Sequence, residues 1–400
     1  MYPVSAGFAE AIAKSNRSIA RIDICDPSGT VLLSSTGTVD GSVTEDSSRA
    51  IRRTATATFV DATGALTPTA ADDLLAPLGN EMRLYRGVLY QSVTATVSDV
   101  YDDVYDDLYG GVGGTVTGYV DEWVPLGVFA IARPRVSSES GGVTVTVDGY
   151  DRARRIQRAR FTDTYTIASG TNLAAAIDTL LSGRWADCPN LASQVTAVTL
   201  THRGVYEAEA DPWAAAQDLA TAYGAELFFN ETGIPTLRPI PDATTANSVA
   251  TYTRGETNVI INADRALDDE NTYSGVIVRG ESTSATVPAY GEAWDDDPNS
   301  PTYRYGKFGE VPYFYTSPYI TTDAKALTTA AALLTKHTGV LEDAEWEQVP
   351  NPALQCGDVV SIVDDQLGFD GTFSLDVVTT PLRPSGAQRC VARSRRLQWA

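Results

Sequence analysis

The chain has 400 residues, with 51 Asp and Glu against 30 Lys and Arg, a net charge of −21, and 43% apolar residues. Such a chain is long enough for two to four cores, and its acidity excludes a nucleic-acid binder of the ordinary basic kind, because the surface repels phosphate backbones. No run of eighteen apolar residues occurs, so neither a transmembrane helix nor stable membrane insertion is expected. Residues 1-18 read as an N-terminal arm. They carry Glu10, Lys14 and Arg17 and lack the apolar core of a secretory signal.

From residue 19 to 158 the pattern has period two. In Thr54-Ala55-Thr56-Ala57-Thr58-Phe59 the alanines and Phe59 share one face and the threonines the other; Val143-Thr144-Val145-Thr146-Val147 repeats it, and Ile22 and Ile24 flank Asp23. Turn signals at Asp26-Pro27-Ser28-Gly29, Asp61-Ala62-Thr63-Gly64 and Ser140-Gly141-Gly142 separate these strands. The reading is a first β-barrel-like domain at 19-158. An acidic Tyr-Asp-Asp repeat interrupts it at 99-115, with Tyr101, Asp102 and Asp103, then Tyr105, Asp106 and Asp107, then Tyr109. Its four-residue period suits neither strand nor helix, since a helix would stack like charges four apart. Rings alternating with carboxylates make it a candidate protein–protein interface.

At residues 159-245 the period changes. Ser169-Gly170-Thr171 opens a helix with a Leu173, Ile177, Leu180, Leu181 stripe, stopped by Gly183. A second helix has Asp211 as N-cap, Pro212 in its first turn and Gly224 as C-terminal cap, with Trp213, Ala216, Ala220 and Tyr223 on its buried face. A hairpin of Glu226 to Asn230 and Ile234 to Pro239 completes an α+β module. Residues 246-400 return to strands at Val276-Val278, Val359-Val363 and Phe373-Val377. They form a second β-barrel-like domain with a loop-helix insertion at 282-338. Its helix, Thr322 to His337, is expected to turn Ala324, Leu327, Ala331 and Leu334 inward. The fold class is therefore mainly β, two small β-barrel-like domains flanking an α+β domain.

Candidate chemistry is thin. His202 and His337 are the two histidines, and no nucleophile elbow accompanies either. The carboxylate runs Asp268-Asp269-Glu270, Asp295-Asp296-Asp297 and Asp364-Asp365 read as solvated loops, not as the unequal pair a glycosidase needs. Asp295, Asp297 and Asn299 open like a calcium loop, but Ser300 stands where glycine is needed and Gly306 where glutamate is needed. Gly110 to Gly114 lacks the Lys-Ser/Thr of a phosphate loop. Cys25, Cys188, Cys356 and Cys390 show no metal-ligand spacing and read as buried thiols of a chain folded in a reducing cytoplasm. No catalytic residue, metal or cofactor is expected.

Several stretches, in order along the chain, resemble the tail hub, or minor tail, proteins of long-tailed phages, relatives of baseplate hub and phage late-control proteins. They are Ala50-Ile51-Arg52-Arg53 with Asp61, Leu74 to Glu81, Val124 to Phe129, and Asp148 to Ala153, followed by Asp211-Pro212-Trp213, Gly224 to Leu227, Asp297 to Thr302, Pro350 to Leu354 and Gly357 to Val360. The resemblance implies a structural virion protein, not an enzyme: a homotrimeric ring at the tail tip, with two similar barrels per copy giving pseudo-sixfold symmetry. Implied partners are the distal tail protein ring, the tape measure protein and other tip proteins, with DNA passing through the lumen without specific binding. The Tyr-Asp-Asp segment departs from the family pattern, and the short C-terminus after Gly386 implies no lytic domain. Arg52 and Arg53 are expected to pair with carboxylates either within the subunit or across the trimer. The competing reading is a carbohydrate-binding host-adsorption protein.

Overall fold

The computed structural model describes the chain apart from residues 13–16, 36–39, 97–114, 140–141, 202, 242–246, 254–259, 268–271, 281–287, 338–341 and 395–400. Helix α1 (Ala6–Ile12) precedes seven strands: β1 (Arg17–Cys25), β2 (Val31–Ser35), β3 (Asp40–Asp46), β4 (Arg53–Asp61), β5 (Glu81–Thr96), β6 (Thr115–Glu139) and β7 (Gly142–Asp151). They lie in the order β3-β4-β7-β6-β5-β1-β2. Period two sets what is buried: β4 puts Ala55, Ala57 and Phe59 into the core, and β7 adds Val145 and Val147, beside Ile22, Ile24, Leu84 and Phe129. Burying each larger side chain contributes about 1.5–3 kcal/mol. The threonines remain on the outer face, where Thr58 and Thr146 share a 3.1 Å hydrogen bond. Gly41, at φ 137°, lies so close to β4 that a Cβ would meet the Thr56 carbonyl oxygen.

The middle region holds α2 (Ala153–Arg158), β8 (Tyr165–Ile167), α3 (Leu173–Arg184), β9 (Ala192–Ser193), β10 (Gly204–Tyr206), α4 (Pro212–Ala222), β11 (Ala225–Phe229) and β12 (Pro235–Pro239). The α4 signals act as read. The Asp211 carboxylate accepts from the Trp213 and Ala214 amides at 2.9 and 3.3 Å, and Gly224 takes φ 68°. Asp211→Ala should therefore cost about 1 kcal/mol, measured by urea denaturation. α3 begins later than expected, capped by Asn172, and runs through Gly183 to Arg184.

The last region contains β13 (Ala250–Thr253), β14 (Ile260–Leu267), β15 (Gly275–Gly280), β16 (Tyr290–Trp294), β17 (Pro312–Ser317), α5 (Asp323–His337), β18 (Glu342–Gln348), β19 (Val359–Asp364), β20 (Phe369–Pro381) and β21 (Gln388–Ser394). Packing divides it in two. Val276, Val278, Tyr319, Ile320 and the buried side of α5 join the middle core, whereas Trp346, Ile362, Phe373 and Leu375 build a third one. The insertion thus packs on the α+β module.

The inward face of α5 differs from the expected stripe. Ala326, Thr329, Ala330 and Leu333 are buried, while Leu327 is half exposed and Ala324 and Ala331 face solvent. An alanine-rich helix offers two stripes of equal apolarity, and Thr329 hides by donating to the Ala222 carbonyl at 3.1 Å. The helix can come this close because Gly291 presents no Cβ to the backbone at Ala326 and Leu327.

The fold is mainly β, as expected, but its two β regions are not separate bodies. They form one thirteen-stranded sheet, with the path β14-β18-β21-β20 continuing directly into β3. β20 bends at a bulge between Leu375 and Val377; before it the strand pairs with β19, and after it with β3, from Val377↔Asp46 to Pro381↔Ser42. Among the described residues neither half closes into a barrel by strand pairing, and no helix is long and apolar enough to cross a membrane.

Candidate assembly site

Charged side chains gather where the three cores meet. The turn between β3 and β4 presents Ala50, Arg52 and Arg53. The Arg52 Nε donates to Glu45 Oε1 at 2.8 Å, and an Arg53 amino nitrogen lies 3.0 Å from the same oxygen. Both guanidiniums then reach into other modules. Arg52 donates to the Cys356 carbonyl (2.9 Å), lies 3.6 Å from Glu226 and stacks on Phe228; Arg53 donates to the Phe229 carbonyl (2.6 Å) and lies 3.8 Å from Glu231. Trp213 Nε1 donates to the Ala50 carbonyl at 2.7 Å. Arg52, Arg53 and Glu45 are each at most 6% exposed, so this turn pins all three cores through fully desolvated charge.

Two further knots tighten the junction. The Arg152 guanidinium grips Glu81 through two nitrogens at 3.1 and 2.6 Å and donates to the Gly233 carbonyl at 2.8 Å. Arg86, 1% exposed, is held by the carbonyls of Pro381, Arg383 and Pro384; burial pulls it down to about 10, so it stays charged. Arg52 and Arg53 thus pair within the subunit. Spacing could not decide this, because both Glu226 and Glu231 stand far from them in sequence.

Electrostatics follow from burial. Desolvation would raise the Glu45 carboxyl, but Arg53 and Arg52 outweigh it and hold the group below its ordinary value. The Cys356 thiol is pushed well up by burial and by Glu45. Asp151 goes the other way. Burial lifts it to about 6, only partly offset by the Arg53 and Ala153 amides that its oxygens accept, each at 2.9 Å. A carboxyl raised in the folded state gives stability that is present below its unfolded value near 3.8 and lost as pH rises through about 6. On the order of 3 kcal/mol should disappear across that window, and Asp151→Asn should flatten that part of the urea-midpoint profile.

The sequence-predicted interface, Tyr101, Asp102, Asp103, Tyr105, Asp106, Asp107 and Tyr109, lies outside the described residues. What leads to it is described. Past the last pair with β1, Arg17↔Leu89, strands β5 and β6 continue together as far as Thr96↔Thr115. This two-stranded ribbon is about 20 Å long at roughly 3.3 Å per residue. Its base rests on α1, where Phe8 packs with Val88 and Val124.

Other candidates resolve into structure. Asp295 is nearly buried and its carboxylate accepts from Ser300 and Thr302, while Asp296 and Asp297 are exposed, so the run is solvated as expected except at its first member. Among the described residues no three His, Cys, Asp or Glu are placed to hold a metal ion. His337 is packed between Tyr313 and Tyr273, and His202 lies outside the described residues. Trp213, 1% exposed, is core. Cys25, Cys356 and Cys390 are buried and Cys188 is partly so, all as free thiols.

No protein-family model matches the sequence, and no curated protein matches it. Solved structures do match. The tail protein from Neisseria meningitidis MC58 is similar at 13% identity and a TM-score of 0.61, over 96% of this chain and 98% of that one. The 43 kDa tail protein of prophage MuSo2 from Shewanella oneidensis is similar at 11% identity and a TM-score of 0.58, over 94% and 98%. The correspondence runs nearly end to end in both, and the chain has the fold of these tail proteins.

Proposed function

We propose that the protein is a structural component of a phage tail tip, a hub that assembles as a homotrimeric ring and joins the tail tube to the distal tail protein ring, the tape measure protein and other tip components. The observation that carries this reading is the nearly end-to-end correspondence of fold with two tail proteins. The junction supports it. Buried ion pairs, a shared strand and carbonyl-held arginines fix three cores into one piece, which suits a part that transmits position and not one that opens on a substrate. DNA would pass through the lumen without specific binding, and no catalysis is proposed.

The segment from Tyr101 to Tyr109 is proposed to touch a neighbouring tip protein, because the β5–β6 ribbon leads to it. Deleting residues 99–114 should leave a folded protein but disturb tip assembly; an unchanged tip would refute that contact. A cryo-EM map of the tail tip tests the main reading. Three copies in one layer around a channel are expected, and one or six would refute the trimer. Release of sugars from host wall by pure protein would refute the structural reading in favour of a glycosidase.

A further inference from the structure

The outer face of the first β region holds a hollow that the proposed hub role does not use. Three neighbouring strands build it in two rows. Ser42 of β3, Thr56 of β4 and Asp148 of β7 lie side by side, and so do Thr44, Thr54 and Tyr150. Between the rows Ala55 turns into the core and Gly149 has no side chain, so backbone forms the floor. Arg49, held 2.9 Å from Asp46, adds a guanidinium from the turn between β3 and β4. The space among these residues is about 300 Å³, at the small end for pockets that take small molecules.

Its hydroxyls are in an unusual state. One row further along the same strands, Thr58 and Thr146 bond each other and so satisfy themselves. Among the described residues no protein group bonds the hydroxyls of Ser42, Thr54 or Thr56, although all three residues are half-buried. Asp148 is fixed in place. An Arg135 amino nitrogen donates to both of its oxygens, at 3.3 and 3.2 Å, and Arg133 lies 4.0 Å away. The carboxylate keeps lone pairs for further donors. Tyr150 is steadied by the Arg154 guanidinium, 3.8 Å from its ring centre.

We propose that this hollow binds a neutral saccharide through the hydroxyls of Thr54 and Thr56, the carboxylate of Asp148 and the guanidinium of Arg49. Hydroxyls that donate and accept, one carboxylate that accepts and one guanidinium that donates answer a ligand whose own groups do both. Adjacent strands place their side chains about 4.8 Å apart, close to the separation of alternate hydroxyls on a sugar ring. Phosphate needs donors alone, and Asp148 would repel it. An apolar ligand would strip water from the hydroxyls and give nothing back. Asp148 is the one carboxylate among the lining residues, and hydrolysis of a glycosidic bond uses two. The sugar is therefore held and not cut, which adds a ligand to the hub without depending on the hub reading.

The test is saturation-transfer NMR on the full chain with glucose, galactose, N-acetylglucosamine and rhamnose, each as monomer and short oligomer. Transfer to the ring protons of at least one of them is expected. Thr54→Val with Thr56→Val removes both hydroxyls at strand positions that valine suits, and should weaken that binding roughly tenfold. Either single variant should weaken it roughly threefold, which reads the site should the double variant fail to fold by its urea midpoint. Thr58→Val with Thr146→Val, one row away, should leave binding unchanged. No transfer to any of the sugars would overturn the proposal. So would binding that survives loss of both hydroxyls, or that falls equally in the neighbouring pair of variants. Binding of inorganic phosphate alone, abolished by salt, would overturn it in favour of an anion seat at the arginines.

Discussion

Glu45→Ala is expected to lower stability by about 3–5 kcal/mol, because it strips the shared carboxylate from two buried guanidiniums. The nearest remaining carboxylates, Glu226 and Glu231, are 3.6 and 3.8 Å from Arg52 and Arg53 and belong to the middle module. They cannot replace an acceptor that meets both arginines at 2.8 and 3.0 Å. Glu345→Ala is the control: its pair with Arg389 is about half exposed on both sides, and such pairs contribute less than about 1 kcal/mol. Urea midpoints at neutral pH read both. The Glu45 carboxyl, held below its ordinary value of 4.5, gives stability that is present above that value and lost as pH falls through its folded one. Glu45 and Asp151 therefore pull the acid profile in opposite directions.

Trp213→Ala should be about as costly, about 3–5 kcal/mol. The ring is 1% exposed, stacks on Phe229 with centroids 5.4 Å apart, and its Nε1 satisfies the Ala50 carbonyl. Truncation opens a cavity and also frees the turn that carries Arg52 and Arg53. Trp213→Phe separates these effects. It keeps much of the packing and loses the hydrogen bond, so a loss of about 1–3 kcal/mol is expected. Equal losses in the two variants would show that the hydrogen bond, and not the ring volume, holds the turn.

Local signals were legible and partners were not. Asp211, Pro212 and Gly224 marked α4 because caps act within one turn. The threonine alternation marked β4 and β7 because strand burial has period two. The sheet that joins the two β regions left no such mark: β3 and β20 are some 335 residues apart at Thr44 and Thr379, and period two says which face is buried without saying which strand lies alongside. The same blindness left Arg52 and Arg53 undecided between partners. On α5 the error was local, since alanine repeats made two faces equivalent until Gly291 chose one by letting the backbone approach. The Tyr-Asp-Asp repeat was conspicuous in sequence, while the turn of Arg52 and Arg53 was marked for ion pairing without any sign that it locks the cores together.

The shared strand also sets a timetable for the nascent chain. β3 emerges from the ribosome early, and its ladder partner follows about 335 residues later. At about 5–20 residues per second that is a wait of roughly twenty seconds to a minute. Throughout it the first core lacks Leu382, Arg86 lacks the three carbonyls that hold it, and the β3 edge stands bare. The N-terminal half must therefore pass this interval as an incomplete, edge-exposed intermediate, and chaperone capture should peak on ribosome-bound chains that have not yet released residue 381.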